Sequence, residues 1–501
     1  MTALASKATN EKAQPAHIRA EAARLAAVDG QNYADRVKVY PASVNGPIRR
    51  VKSALLIACL AFYYLVPWVR WHRGSGLPDQ AILLDIAGRR AYLFGIVIWP
   101  QQIYLLTGAL ILAAVGLFLV TSLFGRVWCG YFCPQTVWTD LFMWIERMIE
   151  GDANHRRRRD AQPWGIDKLW RKTTKHALWL LVAFSTGGAW ILYYVDAPSL
   201  VHEFLHGEAE VATYFFIGLF TATTYLLAGW AREQVCTFMC PWPRFQSAMF
   251  DDQTLAVSYR SWRGESRGRH KAGDSWNGRG DCVDCYRCVA VCPTGIDIRD
   301  GIQLECIGCG LCVDACNNVM KKVGRPKNLI FWDTATRLAA ATKGEMLTYR
   351  LFRPRTLMYA TLVSVVLIIL GTATLIRTRV DLSIERDRTP NYVTLSNGAI
   401  RNGYTVRIEN RTMNPARYEV RVGGLKGETL RIGTEGPNLE WLDVQPNQVA
   451  TFRMFVQAPR DILQAATTPI HFELIDSEHS RRVEGTTVFE GPETRDHPRI
   501  N

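Results

Sequence analysis

The chain has 501 residues, 48% of them hydrophobic, and a formal net charge of +13 from 59 Lys and Arg against 46 Asp and Glu. It is too long for one ordinary domain. The charge alone suits nucleic acid or an anionic membrane surface, but long apolar segments decide for the lipid bilayer and exclude nucleic acid as the expected partner.

Residues 1–50 are polar, carry no apolar leader core near Met1 and contain Pro41 and Pro47. They are expected to form a cytoplasmic tail that is partly disordered. Five stretches then approach the roughly 20 apolar residues that a bilayer requires: Ser53–Val69, Ile103–Phe124, His176–Val195, Val211–Trp230 and Leu357–Ile376. Ile82–Trp99 is also apolar, but Asp85, Arg89 and Arg90 interrupt it, so it is expected to be interfacial or re-entrant rather than a sixth span. Cys59, alone inside the first span, is expected to be packing.

Orientation follows from basic residues in the connections. Gly125–Lys175 carries ten Lys and Arg, Asp196–Glu210 none and Ala231–Arg355 nineteen. The N-terminus and the Ala231–Arg355 loop are therefore expected on the cytoplasmic side, and the segment after the fifth span on the other. The four basic residues of Arg70–Pro100 count against this assignment.

Two spans end alike. Ile103–Phe124 runs into Arg126 and then Cys129-x3-Cys133-Pro134, and Val211–Trp230 into Arg232 and then Cys236-x3-Cys240-Pro241. This reads as an internal duplication of a two-span unit. If the chain stays helical, each i, i+4 pair puts both thiols on one face, and Pro134 and Pro241 end or kink that helix. Such pairs suit a soft metal such as Cu(I), dithiol cycling, or a shared four-sulfur site. Free Cys also packs as a small hydrophobe, but the repetition favours a redox or metal role. Cys129, Cys133, Cys236 and Cys240 are thus candidate redox thiols and copper ligands, with Met143 and Met239 as possible thioether neighbours. His202-Glu203-Phe204-Leu205-His206 matches H-E-x-x-H, a zinc peptidase signature. No third His follows at the expected spacing, where Ala209 and Ala212 stand, and the segment is expected to be an interfacial turn.

The most specific signal is C-x2-C-x2-C-x3-C, present twice: Cys282, Cys285, Cys288 and Cys292-Pro293, then Cys306, Cys309, Cys312 and Cys316. In bacterial two-cluster ferredoxins the fourth Cys of each run ligates the other run's cluster. On that rule Cys282, Cys285, Cys288 and Cys316 hold one 4Fe-4S cluster, and Cys306, Cys309, Cys312 and Cys292 the second. Zinc sites come as C-x2-C pairs rather than triplets, and disulfides do not suit a thiol-keeping compartment.

Beyond Val380 the pattern turns to alternating strands, at Thr405–Asn410, Tyr418–Val422, Val449–Gln457 and Ile470–Ile475, with turns at Asn397-Gly398, Gly423-Gly424 and Pro446-Asn447. About seven strands without a cysteine suit an immunoglobulin-like sandwich, a docking surface rather than a catalyst. Asn410-Arg411-Thr412 is a glycosylation sequon in form only. The expected whole is a multidomain membrane protein: a tail (1–50), a four-span domain with both thiol motifs (51–250), a cytoplasmic two-cluster ferredoxin-like insert (251–355), a fifth transmembrane helix (356–378) and a periplasmic C-terminal immunoglobulin-like β-sandwich (379–501).

This order of spans, paired Cys-x3-Cys-Pro motifs, double cluster pattern and sandwich tail resembles the FixG-type cytochrome c oxidase accessory proteins, also called CcoG or RdxA. The resemblance covers nearly the whole chain. It implies a multi-pass protein of the bacterial inner membrane that matures cbb(3)-type oxidase as a Cu(II) reductase and passes copper to assembly factors, chaperones or transporters. It also implies two 4Fe-4S clusters, copper at the four motif thiols and an electron donor that the sequence does not name. One departure is Asn317 after Cys316, where a second Cys-Pro is common; it bears on the cluster potential rather than on ligation. The alternatives are a respiratory relay from quinol to a periplasmic reductase, and a redox sensor or assembly scaffold.

Overall fold

The computed structural model describes residues 38–492, apart from 74–76, 272, 377–379, 413–414, 426–427, 433–440, 447, 464 and 477–481. Most of the expected N-terminal tail, and Asn447 of one expected turn, lie outside the described residues. The chain parts into two compact units at Ile368, with 72–78 grouped with the second.

In the first unit, α1 (Pro47–Leu65) starts with Pro in its first turn, where the missing N–H costs nothing. α2 (Ile103–Phe124) matches its predicted bounds. α3 (Pro134–Glu150) and α4 (Ala153–Ala161) precede the long α5 (Ile166–Ile191). α6 (Ala197–His206) leads to α7 (Val211–Thr224), which continues as a π-helical stretch to Ala231. α8 is Trp242–Met249. Among the described residues, four helices are long and apolar enough to cross a membrane: Pro47–Trp68, Ile103–Phe124, Val211–Ala231 and α10 (Pro354–Ile376). The predicted span His176–Val195 falls within α5 and beyond its end. Lys172, Lys175 and His176 carry polarity into α5, so it is not in that group. It still packs closely along α7, since a Cβ at Gly187 would lie 2.8 Å from the Ile217 carbonyl oxygen. Small residues let helix backbones approach in this way.

Residues 82–98 are neither a span nor a re-entrant helix. They form a three-stranded antiparallel meander, β1 (Ile82–Asp85), β2 (Arg90–Leu93) and β3 (Ile96–Ile98). The charges that interrupt the apolar run have structural jobs. Asp85 accepts the Gly88 N–H (2.7 Å), Arg89 takes the turn at φ +53°, and Arg90 lies over the Trp99 ring at 4.3 Å. Buried Gln80 ties the sheet to α5 and α6 through the Leu192 carbonyl (2.6 Å) and the Ala197 N–H (3.0 Å).

The ferredoxin region is framed by β4 (Ala256–Tyr259), antiparallel to β5 (Ile330–Asp333), and by α9 (Leu311–Lys322). Residues 38–46 pack onto it rather than hanging free. The Ala42 N–H donates to the Ala290 carbonyl (2.7 Å), the Arg49 N–H to Asp314 (2.8 Å), and Asn318 to the Asn45 carbonyl (2.7 Å).

The second unit is a sandwich of nine described strands: β6 (Val380–Arg386), β7 (Val393–Thr394), β8 (Ile400–Asn410), β9 (Ala416–Gly423), β10 (Thr429–Ile432), β11 (Leu442–Val444), β12 (Gln448–Ala458), β13 (Thr467–Asp476) and β14 (Arg482–Glu490). One sheet orders β10-β12-β8-β6 with β7 beside β8, and the other β11-β9-β13-β14. All four predicted strands are present within longer ones. Ile400, Asn402, Tyr404, Val406 and Ile408 alternate into the core, as a period of two requires. Buried Asn402 joins the two sheets, donating to the Glu490 carbonyl (2.7 Å) and accepting its N–H (3.1 Å).

Candidate functional site

The first cysteine run bends sharply, with Asp284 at φ +52° and Tyr286 at φ +54°, before a one-turn helix, Arg287–Ala290, presents Cys288. The second run turns through Gly308 (φ +69°) and Gly310 (φ +71°), from which α9 carries Cys312 and Cys316 one turn apart. Cys288, Cys292, Cys306, Cys309 and Cys312 line one cavity. Burial pushes the Cys312 thiol well up, and Cys309, Cys306 and Cys292 push it further. The Cys316 thiol is pushed up to about 12, by burial and then by Cys282 and Cys285. Cys292 thus lies within electrostatic reach of the second run, and Cys316 within that of the first. Thiols raised in this way are protonated until a metal displaces the proton, and an all-sulfur donor set in an apolar wall suits iron–sulfur clusters.

The two Cys-x3-Cys-Pro motifs are alike in backbone, but they are not α-helical. Trp128–Phe132 and Val235–Met239 are each a π-helical turn, closed by the Cys133 N–H on Trp128 O (2.9 Å) and the Cys240 N–H on Val235 O (2.7 Å). Cys133 (ψ 128°) and Cys240 (ψ 121°) then leave in extended backbone, and each following Pro opens a helix rather than ending one. π turns recur at functional sites. Aligned on the cysteines, Gly125 (φ +65°) corresponds to Arg232 (φ +45°), so the two arginines are offset by one residue.

The thiols of both motifs lie within electrostatic reach of one another. Cys129 is pushed up to about 12 by burial and then by Cys133, with Cys236 and Cys240 adding, while Arg126 pulls it down. Cys236 is likewise pushed up to about 12, by burial and then by Cys133 and Cys240. Cys129 Sγ donates to Gln246 Oε1 (3.1 Å). Among the described residues no three His, Cys, Asp or Glu side chains are grouped to hold a single metal ion. That covers the H-E-x-x-H helix, where the His202 and His206 rings stack 4.2 Å apart. Met143 lines a cavity with Cys236 and Thr294, whereas Met239 is exposed.

The second cluster loop sits directly on the first thiol motif. A Cβ at Gly130 would lie 3.0 Å from the Ile307 carbonyl oxygen and 3.1 Å from Cys309 Cα and N. Tyr131 donates to the Cys309 carbonyl (3.1 Å). Arg126 donates to the carbonyls of Leu304, Cys306 (3.1 Å) and Pro243 (2.9 Å), so one guanidinium ties both motifs to the loop. Sequence reasoning flagged Arg126 only as part of a repeat and did not reach Gly130, Tyr131 or Gln246.

A buried charge network supports the site. Glu146 meets Arg156 (2.7 Å), Arg232 (3.0 Å) and Lys175 (3.6 Å), and Asp140 meets Arg49 (2.8 Å) and Lys52 (3.9 Å). Burial pushes the Glu146 carboxyl up, but Arg232, Arg156 and Lys175 outweigh it and hold the group down at about 2.

Apolar helices, crossed cysteine loops and an immunoglobulin-like tail define a membrane iron–sulfur protein. Residues 231–335 match the family described as 4Fe-4S dicluster domain, 106–150 the 4Fe-4S binding domain, and 370–492 the IG-like fold at the C-terminal of FixG. The chain is 45% identical to nitrogen fixation protein FixG of Rhizobium meliloti over 480 residues, 90% of this chain and 92% of that one. It is also 45% identical to protein RdxA of Cereibacter sphaeroides over 450 residues, 89% of this chain and 95% of that one. The chain belongs to the FixG/RdxA family. A crystal structure of a FixG-related protein from Vibrio parahaemolyticus matches 23% of this chain and 99% of its own at 26% identity, with a TM-score of 0.21.

Proposed function

We propose that this protein is an electron-transfer component of cbb(3)-type cytochrome c oxidase assembly that reduces Cu(II) to Cu(I) at the membrane-edge thiols. The observation that carries the reading is the seating of the Ile307–Cys309 loop on Gly130, between Cys129 and Cys133. Two clusters held by Cys282, Cys285, Cys288 and Cys316, and by Cys306, Cys309, Cys312 and Cys292, would supply one-electron carriers in the ferredoxin range. Arg126 and Tyr131 hold the loop against the motif, and the buried surroundings keep water from the contact. Cu(II) is the substrate: it gains one electron, and Cu(I) is then retained by soft thiolates from Cys129, Cys133, Cys236 and Cys240. The same reading places the protein in the bacterial inner membrane, with the N-terminus and clusters cytoplasmic and the sandwich periplasmic, where copper chaperones or transporters and oxidase assembly factors are its partners.

The test uses the purified full chain, reduced anaerobically with dithionite, and Cu(II) with a Cu(I)-specific chelator. Serine at all four motif cysteines is expected to lower Cu(I) formation to background while iron and acid-labile sulfide are retained. An unchanged rate overturns the thiol assignment. One observation favours a second reading, a quinol-oxidising relay: an amphipathic cavity at the base of α5 and α7, lined by Lys175, His176, Trp179, Trp230, Arg232 and Glu233. Arg232 and Glu233 also line the cavity that holds Cys236. Reduction of the protein by a short-chain quinol, without copper, would support the relay.

A further inference from the structure

The two cysteine sets face different surroundings. The second set is closed off by the thiol motif, whereas Cys285 of the first set is exposed although Cys282, Cys288 and Cys316 are buried. Cys285 opens into a groove lined by Lys38, Tyr40, Arg157, Tyr286 and Arg287. Three of these are cationic. Arg157 and Arg287 are exposed, and among the described residues neither has a carboxylate partner; Arg157 lies over the Tyr40 ring at 5.6 Å. Lys38 is held by Asp160 (2.6 Å). Asp152 is the carboxylate on the lining, and it is engaged by the Ser43 N–H (2.8 Å) and hydroxyl (2.9 Å). Exposed Arg158 extends the positive field along α4. The groove is thus a cationic surface around Cys285, the one cysteine of the eight that is exposed as a residue.

We infer that this groove is the docking site of an acidic, soluble one-electron carrier protein of the flavodoxin or ferredoxin class. The inference rests on the reading that Cys282, Cys285, Cys288 and Cys316 hold a cluster. Small interfaces with opposed charge suit brief redox encounters, where steering sets the rate and a large buried area is not needed. In each encounter the carrier loses one electron, as when a flavin hydroquinone becomes a semiquinone, and the first cysteine set's cluster gains it; no atom is transferred. Exposed Cys285 places the entry on the solvent side, and the Gly130 contact places the exit on the membrane side. An anionic lipid surface could also meet Arg157 and Arg158, but it would not account for an exposed cluster ligand within the same groove.

The experiment titrates oxidised, acidic flavodoxin against the full chain in detergent, following chemical shifts of isotope-labelled flavodoxin. This readout needs no turnover. Reversing charge in Arg157→Glu with Arg287→Glu is expected to weaken Kd about tenfold and to flatten its salt dependence. Lys343→Glu, an exposed change outside the groove, should leave Kd unchanged. Iron and sulfide contents must match the unsubstituted chain, which separates failure of docking from failure of the cluster assignment. The inference is overturned if flavodoxin binds the double variant as tightly as the unsubstituted chain. It is also overturned if the double variant loses affinity only for vesicles containing phosphatidylglycerol, which would make the surface a lipid contact.

Discussion

The two Cys-x3-Cys-Pro turns share a π-helical backbone, yet their surroundings differ. In the first, Gly130 and Tyr131 are buried beneath the cluster loop. In the second no residue of Val235–Met239 is buried, and Phe238 and Met239 are 75% and 62% exposed. A duplicated scaffold has been divided between one half fitted to a redox domain and another open to its environment. Backbone geometry can thus be retained while function is set by what packs on it. On the proposed reading, the first turn would receive electrons and the second would meet copper.

Four changes, one of them paired with a control, test this asymmetry, from the largest expected effect to the smallest. Glu146→Gln removes the shared carboxylate of Arg232, Arg156 and Lys175, all of them buried. Breaking such a network by removing one partner costs about 3–5 kcal/mol, and the loss is to be read by denaturant unfolding in detergent, with the second turn's arginine cap disturbed first. The same carboxyl predicts an acid limb. Its folded value of about 2 lies below the ordinary 4.5, so its contribution is present above pH 4.5 and is lost as pH falls toward 2. In the Gln variant that limb should flatten.

Gly130→Val wedges the cluster loop off the first turn, at about 1–3 kcal/mol of overpacking. Copper reduction by the dithionite-reduced protein should fall while iron is retained. Thr237 is the residue corresponding to Gly130, and Thr237→Val should leave the rate near that of the unsubstituted chain; equal losses would erase the asymmetry. Tyr131→Phe removes the hydrogen bond to Cys309 and should cost about 0.5–1.5 kcal/mol. Met239→Ala, at an exposed site, should change stability by no more than about 0.5 kcal/mol, so any copper phenotype there would report a thioether contact.

Much of this architecture can be read from residue order. Ile103–Phe124 keeps its predicted bounds because apolar length leaves one solution, and the eight cysteines carry their own spacing rule. The π turns were hidden because Cys-x3-Cys fits an α-helix equally well; the i→i−5 hydrogen bond that distinguishes them is a backbone choice. The 82–98 meander was obscured because Asp85 and Arg89 look like interruptions of a helix until they are placed in a hairpin turn. The seating of Gly130 depends on residues almost 180 positions away, beyond any local pattern. Asp140, Glu146 and Glu150 did offer a signal, three carboxylates on an otherwise apolar-faced helix, whose partners could have been sought among Arg49, Lys52, Arg156, Lys172, Lys175 and Arg232.

Helix α9 holds one sulfur of each set, Cys312 and Cys316, a single turn apart. These two ligand positions are held about 5.4 Å apart along the helix axis, in a rod anchored at its start by Asp314 to the backbone of Ile48 and Arg49. A ruler of that kind does not stretch in response to a partner. On the proposed reading, control over electron flow between clusters held there would act on driving force, through charges such as Arg299 beside Asp284 and Asp297, rather than on distance.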